Sequence, residues 1–232
     1  MSERWVFGFE DIDDARTAVG GDWEDVRALL GGKGANLADM AALGIPVPPG
    51  FTITTRACNR FAELGNQLPE GLWVEIKQYL ERVMSHTARV FGGTDNPLLV
   101  AVRSGAKFSM PGMMDIVLNV GMNDDVAAAM IERTGDARFV FDSYRRLLQM
   151  FGAIVLEVDS DKFDQVMASA RHANGVSSDG DLSAEVLQSI TDEFKKIIET
   201  FGTEPFPVDP MQQLRLSIEA VFRSWHSRRA YD

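Results

Sequence analysis

The first half of the chain alternates short apolar runs with polar turns, and the second half is written almost wholly in the helical period. Residues 5–9 alternate weakly and fit either a first strand or an ordered surface arm. Residues 11–25 are acidic and glycine-containing, which predicts a loop. After a glycine-rich turn, Leu37, Met40, Ala41 and Leu43 share one face, so a helix runs from Ala35 until Gly44 stops it before Ile45-Pro46. Val47-Pro48-Pro49-Gly50 is a rigid turn, and residues 51–54 read as a strand by alternation and β-branching. Thr55 then caps a helix over residues 56–64. Residues 70–91 read as a longer helix, with Leu72, Ile76, Leu80, Val83 and Val90 on its apolar side. Leu98 to Val102 is a short apolar run that predicts a buried strand, and residues 115–121 predict another.

Beyond Gly121 the period changes. Asn123 caps a helix over residues 124–133, and Gly135 interrupts it. Residues 136–151 form a long amphipathic run carrying Phe139, Val140, Tyr144, Leu147, Leu148 and Phe151, and residues 160–172 form another. Residues 174–181 read as a flexible polar linker. Ser183 caps a helix ending at Phe201, and Pro210 suits the first turn of a last helix. The fold class is therefore α+β. The pattern divides it into an α+β subdomain over residues 1–122, a helical insert over 123–208, and a C-terminal helix over 209–232 that returns to the first subdomain.

Composition narrows the functions open to such a chain. Its 232 residues are 45% hydrophobic and 25% charged, as in ordinary globular domains. A formal net charge of −11 argues against general nucleic-acid or anionic-membrane binding, so any nucleotide site must be a local cationic pocket. The single Cys58 excludes an internal disulfide and a cysteine-rich metal site, which fits a reducing cytoplasm. No apolar run reaches membrane length, and the acidic N-terminus lacks the apolar region of a signal peptide.

Two places carry candidate chemistry. Arg103 ends the apolar run 98–102 and opens a connector holding Lys107, Gly105, Gly112, Pro111 and three methionines. An arginine there is desolvated on one side and needs an anion on the other, either a buried carboxylate or a bound phosphate. The second place is Gly31-Gly32-Lys33-Gly34, a lysine inside a glycine turn that feeds a helix N-terminus. Free backbone N–H groups and the helix dipole suit an anion there, although glycines also serve simply to cap and turn. The spacing is not that of a P-loop, GxxxxGK[ST]. His86 reads as a surface or packing histidine.

The stretch VRSGAKFSMPGMMDIVLNVG resembles the loop of the pyruvate phosphate dikinase family, whose pattern is VRSGAxxSMPGMMDTVLNxG. LLGGKGANLADMAALGIPVPPGFTITTRAC resembles the same family's first motif. The related phosphoenolpyruvate synthases share the GGKxxxL and VRSS themes, but the Ser-Met-Pro-Gly-Met-Met run points to the dikinases. The resemblance implies an ATP-grasp-like nucleotide-binding subdomain with a helical insert, in which Lys33 contacts the ATP phosphates and Arg103 lies at the nucleotide. Gly112 and Met114 belong to a close-fitting loop beside the phosphates, where plain core packing is the other use of a methionine. SYRRLLQMFG resembles the family's YRRFxQM helix, which carries Arg146 to the nucleotide site, with a solvated helix face as the alternative; Arg145 is read as solvated.

The same resemblance implies a phosphoryl relay: ATP, phosphate and pyruvate become AMP, diphosphate and phosphoenolpyruvate, reversibly, through a phosphohistidine. ATP and Mg2+ are the implied cofactors. The magnesium ligands, the catalytic histidine and the pyruvate domain are expected outside this chain, in a parent that forms a homodimer. None of His86, His172 or His226 sits in a GG-x-[TS]-SH-A motif, so no catalytic residue and no metal ligand is assigned within these residues. The chain alone is expected to be inactive. The alternatives are a non-catalytic module that binds a nucleotide or a partner, and a phosphoenolpyruvate synthase-type relative.

Overall fold

Short strands and long helices alternate along the protein, an α+β composition. The computed structural model describes residues 3–104 and 116–225. In order these form β1 (Val6–Gly8), α1 (Ile12–Val19), α2 (Trp23–Ala42), β2 (Phe51–Ile53), α3 (Thr55–Glu63) and α4 (Leu72–Thr87). Then come β3 (Val90–Phe91), β4 (Pro97–Leu98), β5 (Val100–Arg103) and β6 (Ile116–Val120). Helices α5 (Asp124–Thr134), α6 (Ala137–Ile154), α7 (Ser160–Ala173), α8 (Ala184–Phe201) and α9 (Pro210–Trp225) complete the chain, with a short 3-10 turn at Asp179–Asp181 before α8. The strands make two-stranded sheets: β1 antiparallel to β2, β3 parallel to β4, and β5 beside β6.

The described residues cluster into two compact units. One holds residues 3–88, 103–104 and 221–225; the other holds 89–102 and 116–220. Residues 89–102 and 116–122 group with the helices that follow.

In the first unit the core is built from Phe7, Ile12, Ala15, Val26, Leu29, Leu30, Ala35 and Ala38, with Val19 and Trp23 packed against it. Residues 11–25, expected as a loop, are instead α1 and the start of α2. Ile12 and Ala15 lie one turn apart and are buried, Asp13 and Asp14 suit the positive end of the helix dipole, and Gly20 closes the helix at φ 91°. The acidic outer face hid a three-residue apolar spacing. Helix α3 is capped by Thr54, whose hydroxyl accepts from Ala57 N at 3.2 Å. Thr55, the expected cap, donates its hydroxyl to Ala28 O at 2.6 Å and ties α3 to α2. Helix α4 stops at Thr87 with Ala88 in the left-handed region, well before residue 91. Glu75 of α4 accepts from the backbone N–H groups of Trp5 and Val6, both at 2.9 Å, which fastens β1.

In the second unit α6 packs along α8 and against β6. Phe163 and Phe194 meet edge to face at 4.9 Å, and Phe151 and Phe206 do so at 5.2 Å. The buried Gln213 of α9 accepts from Gly121 N at 2.9 Å and donates to Met122 O at 3.0 Å and Pro207 O at 2.9 Å. Three satisfied bonds let a polar side chain occupy a fully buried position. The run 98–102 is less buried than expected: it divides at Leu99 into β4 and β5, and Ala101 and Arg103 are exposed. Phe139, carried by the amphipathic run 136–151, is 53% exposed. Residues 174–181 are anchored rather than free, because Arg138 donates to Asp179 O at 3.1 Å and Gly180 O at 2.6 Å, and Arg171 pairs with the Asp179 carboxylate.

Burial pushes the Cys58 thiol up to about 12 and its residue is only 3% exposed. The thiolate is the reactive form, so the native protein at pH 8 should react with a thiol-specific disulfide reagent at least about 100-fold more slowly than the protein in denaturant. Stopped-flow absorbance measures both rates, and equal rates would contradict the buried placement.

Candidate functional site

The glycine run of α2 breaks the helix rather than preceding it. Gly31 adopts φ 69° and ψ 162°, so the chain leaves the helical path there and resumes it at once. That conformation favours glycine. Gly34 serves packing: a Cβ there would lie 2.6 Å from Thr52 Oγ1, so only glycine lets α2 approach β2 so closely. Lys33 stands between these two glycines in the first turn after the break. Its side chain is half-buried, and Nζ donates to Ser104 O at 3.0 Å. An ammonium has three donors, and among the described residues the other two have no partner and no carboxylate faces them.

Ser104 follows Arg103, the last residue of β5. The structure thus brings the Lys33 ammonium to the carbonyl of the residue that follows Arg103, within one compact unit. Arg103 is exposed and, among the described residues, forms no ion pair. The buried-carboxylate alternative therefore has no candidate among those residues. Most other arginines of the first unit, including Arg4, Arg16, Arg27, Arg60 and Arg82, are paired with acidic side chains. Lys33 and Arg103 thus have no acidic partner among the described residues, in a chain of net charge −11.

Arg146 lies in the second unit, on the exposed side of α6, where Nε donates to Asp142 Oδ2 at 3.1 Å. Its two terminal amino groups have no partner among the described residues. Arg145 corrects the sequence expectation: it is 4% exposed, not solvated. It donates to Asp142 Oδ1 through Nε at 2.9 Å and through a terminal nitrogen at 2.7 Å, and reaches Asp179 Oδ2 at 3.3 Å. One carboxylate, Asp142, is shared by the buried and the exposed arginine. Gly112 and Met114 lie outside the described residues. His86 borders a cleft of the first unit of about 480 Å³, lined also by Phe9, Tyr79 and Arg82, which contains neither Lys33 nor Arg103.

Sequence reasoning passed over Ser104, Trp225 and Asp142. Ser104 is buried at 1% exposure, and its hydroxyl accepts from Trp225 Nε1 at 2.7 Å. Nothing local foretells a bond between residues 121 positions apart. Asp142 was readable, since it stands three and four residues before the arginine pair. Among the described residues no group of three or more His, Cys, Asp or Glu could hold a metal ion. No helix among them is long and apolar enough to cross a membrane.

The family model described as pyruvate phosphate dikinase, AMP/ATP-binding domain, matches residues 27–86, a span that includes Lys33. Over 227 residues, 98% of this chain, the sequence is 45% identical to pyruvate, phosphate dikinase of Entamoeba histolytica, of which it covers 24%. It is 47% identical over 227 residues to the enzyme of Rhizobium meliloti, covering 98% of this chain and 25% of that one. It is 46% identical over 207 residues to pyruvate, phosphate dikinase 2 of Zea mays, covering 89% of this chain and 23% of that one. The chain thus spans about a quarter of the length of the curated relatives it matches. Over nearly its whole length it is related to the N-terminal region of the pyruvate phosphate dikinases.

Proposed function

We propose that these residues form the ATP-binding N-terminal region of a pyruvate phosphate dikinase, with the first unit contributing an ATP-grasp-like phosphate site. The observation that carries this reading is the hydrogen bond from Lys33 Nζ to Ser104 O, which fastens a half-buried lysine to the residue that follows Arg103. The whole enzyme would transfer the β-phosphoryl group of ATP to a histidine and the γ-phosphoryl group to phosphate. The histidine would then pass its phosphoryl group to pyruvate. In this scheme Lys33 and Arg103 neutralise charge spreading over the phosphate oxygens as the bonds to phosphorus loosen. Lys33 presents its remaining donors to one phosphate, and the planar guanidinium of Arg103 spans two oxygens. Arg146, with its terminal amino groups unengaged among the described residues, is assigned a further nucleotide contact. The loop residues Gly112 and Met114 are assigned to cover the phosphates. Among the described residues no cluster fits magnesium, whose ligands are assigned to other parts of the whole enzyme.

The test is a full-length dikinase carrying this sequence, incubated with ATP labelled in the β-phosphate. Label should appear on the histidine with the intact site and be abolished by Arg103→Ala; undiminished labelling would overturn the assignment. The 232-residue chain by itself should bind ATP weakly, with a Kd on the order of 1 mM, about −4 kcal/mol, because it supplies only a fraction of the donor set. Isothermal titration calorimetry checks this, and tight magnesium-dependent binding would contradict it.

A further inference from the structure

Ser104 is held from two sides. Its carbonyl accepts from Lys33 Nζ at 3.0 Å, and its hydroxyl accepts from Trp225 Nε1 at 2.7 Å. An indole N–H can only donate, so the direction of the second bond is fixed. The stem that delivers the indole is packed in the first unit. One turn before Trp225, Phe222 meets Phe61 edge to face at 5.2 Å, and its carbonyl accepts from Cys58 Sγ at 3.8 Å. The ring is half-buried, so core filling alone does not account for its placement.

We propose that Trp225 is a positioning residue for the phosphate-binding pair, acting through Ser104. By holding the serine hydroxyl, the indole fixes the residue bonded directly to Arg103 and the carbonyl that seats Lys33. Without that bond, residue 104 can rotate about its backbone torsions. Both cations then lose registry with the phosphates, and a displacement of about 1 Å at such a site costs on the order of 100-fold in rate. This proposal rests on the reading of Lys33 and Arg103 as ATP ligands.

The test uses Trp225→Phe, Ser104→Ala and the double variant in a full-length dikinase carrying this sequence. Phenylalanine keeps most of the packing and deletes the N–H; alanine deletes the acceptor with a smaller change. Two half-reactions are read separately: ATP-dependent phosphorylation of the histidine, and transfer from the phosphohistidine to pyruvate, which does not use ATP. Each single variant should slow the first about 10-fold to 100-fold and leave the second unchanged. The double variant should be no slower than the worse single one, since both break one bond. The proposal is overturned if either single variant leaves the ATP half-reaction intact. It is equally overturned if the two half-reactions fall together, or if the double variant loses the product of the two effects. Should Trp225→Phe not fold, Ser104→Ala carries the same comparison of half-reactions. If Lys33→Ala leaves the ATP half-reaction intact, the underlying ATP assignment fails instead, a result distinct from any of these.

Discussion

Replacing Lys33 by alanine is expected to lower kcat/KM for ATP by about 1,000-fold in a full-length dikinase carrying this sequence, the scale on which a single charge-stabilising donor acts in phosphoryl and acyl transfer. The reason is the setting of its ammonium. Nζ is half-buried, spends one donor on Ser104 O, and meets no carboxylate among the described residues. Such a cation gains little for folding, since its desolvation is not offset by an ion pair. The alanine variant should therefore unfold within about 1 kcal/mol of the parent, the range of substitutions that break no buried network. Steady-state AMP formation and thermal denaturation together decide the matter. A loss below about 10-fold in a folded variant would remove Lys33 from the phosphate site. Lys33→Arg should not rescue activity, because the guanidinium fork is longer and planar and cannot seat on the Ser104 carbonyl in the same way.

The second large effect concerns stability. Asp142→Ala should destabilise the protein by about 3 kcal/mol, because it strips the buried Arg145 of its two shortest bonds and leaves Asp179 at 3.3 Å as its carboxylate partner. Arg146→Ala removes the other bond to the same carboxylate, yet its side chain is 52% exposed. That change should cost less than about 1 kcal/mol, as exposed pairs do. Chemical denaturation of the two variants separates the roles. Equal losses would mean that the Asp142 carboxylate is not sustaining a buried charge.

The difference between Arg145 and Arg146 also shows where a linear reading stops. The motif SYRRLLQMFG places both arginines on α6 and leaves the choice of buried partner open. That choice depends on the turn at Asp179–Asp181, which brings a carboxylate to Arg145 from 34 residues away. The same turn was expected to be free linker, since its composition is polar and small. Three arginines, at 138, 145 and 171, bind it instead. The missed helix α1 is a milder case. Its two buried residues, Ile12 and Ala15, are too few and too acidic in context to outweigh the nearby glycines.

Whatever depends on neighbours within one helical turn was legible in the order of residues. Asn123 and Ser183 cap α5 and α8 through bonds to the residue three positions on, at 2.9 Å and 3.4 Å. Pro210 begins α9, and the break at Gly31 is permitted by the absence of a Cβ. That order also supplied both cations and their likeness to a known nucleotide-binding family. Long-range packing alone set the bond from Lys33 to Ser104 across 71 residues, the hold of Trp225 on that serine, and the burial of Arg145. Capping bonds form between atoms that the local backbone already holds close. A bond between distant residues exists only where burial of apolar faces has brought two segments together, and no local pattern of residue types encodes that approach.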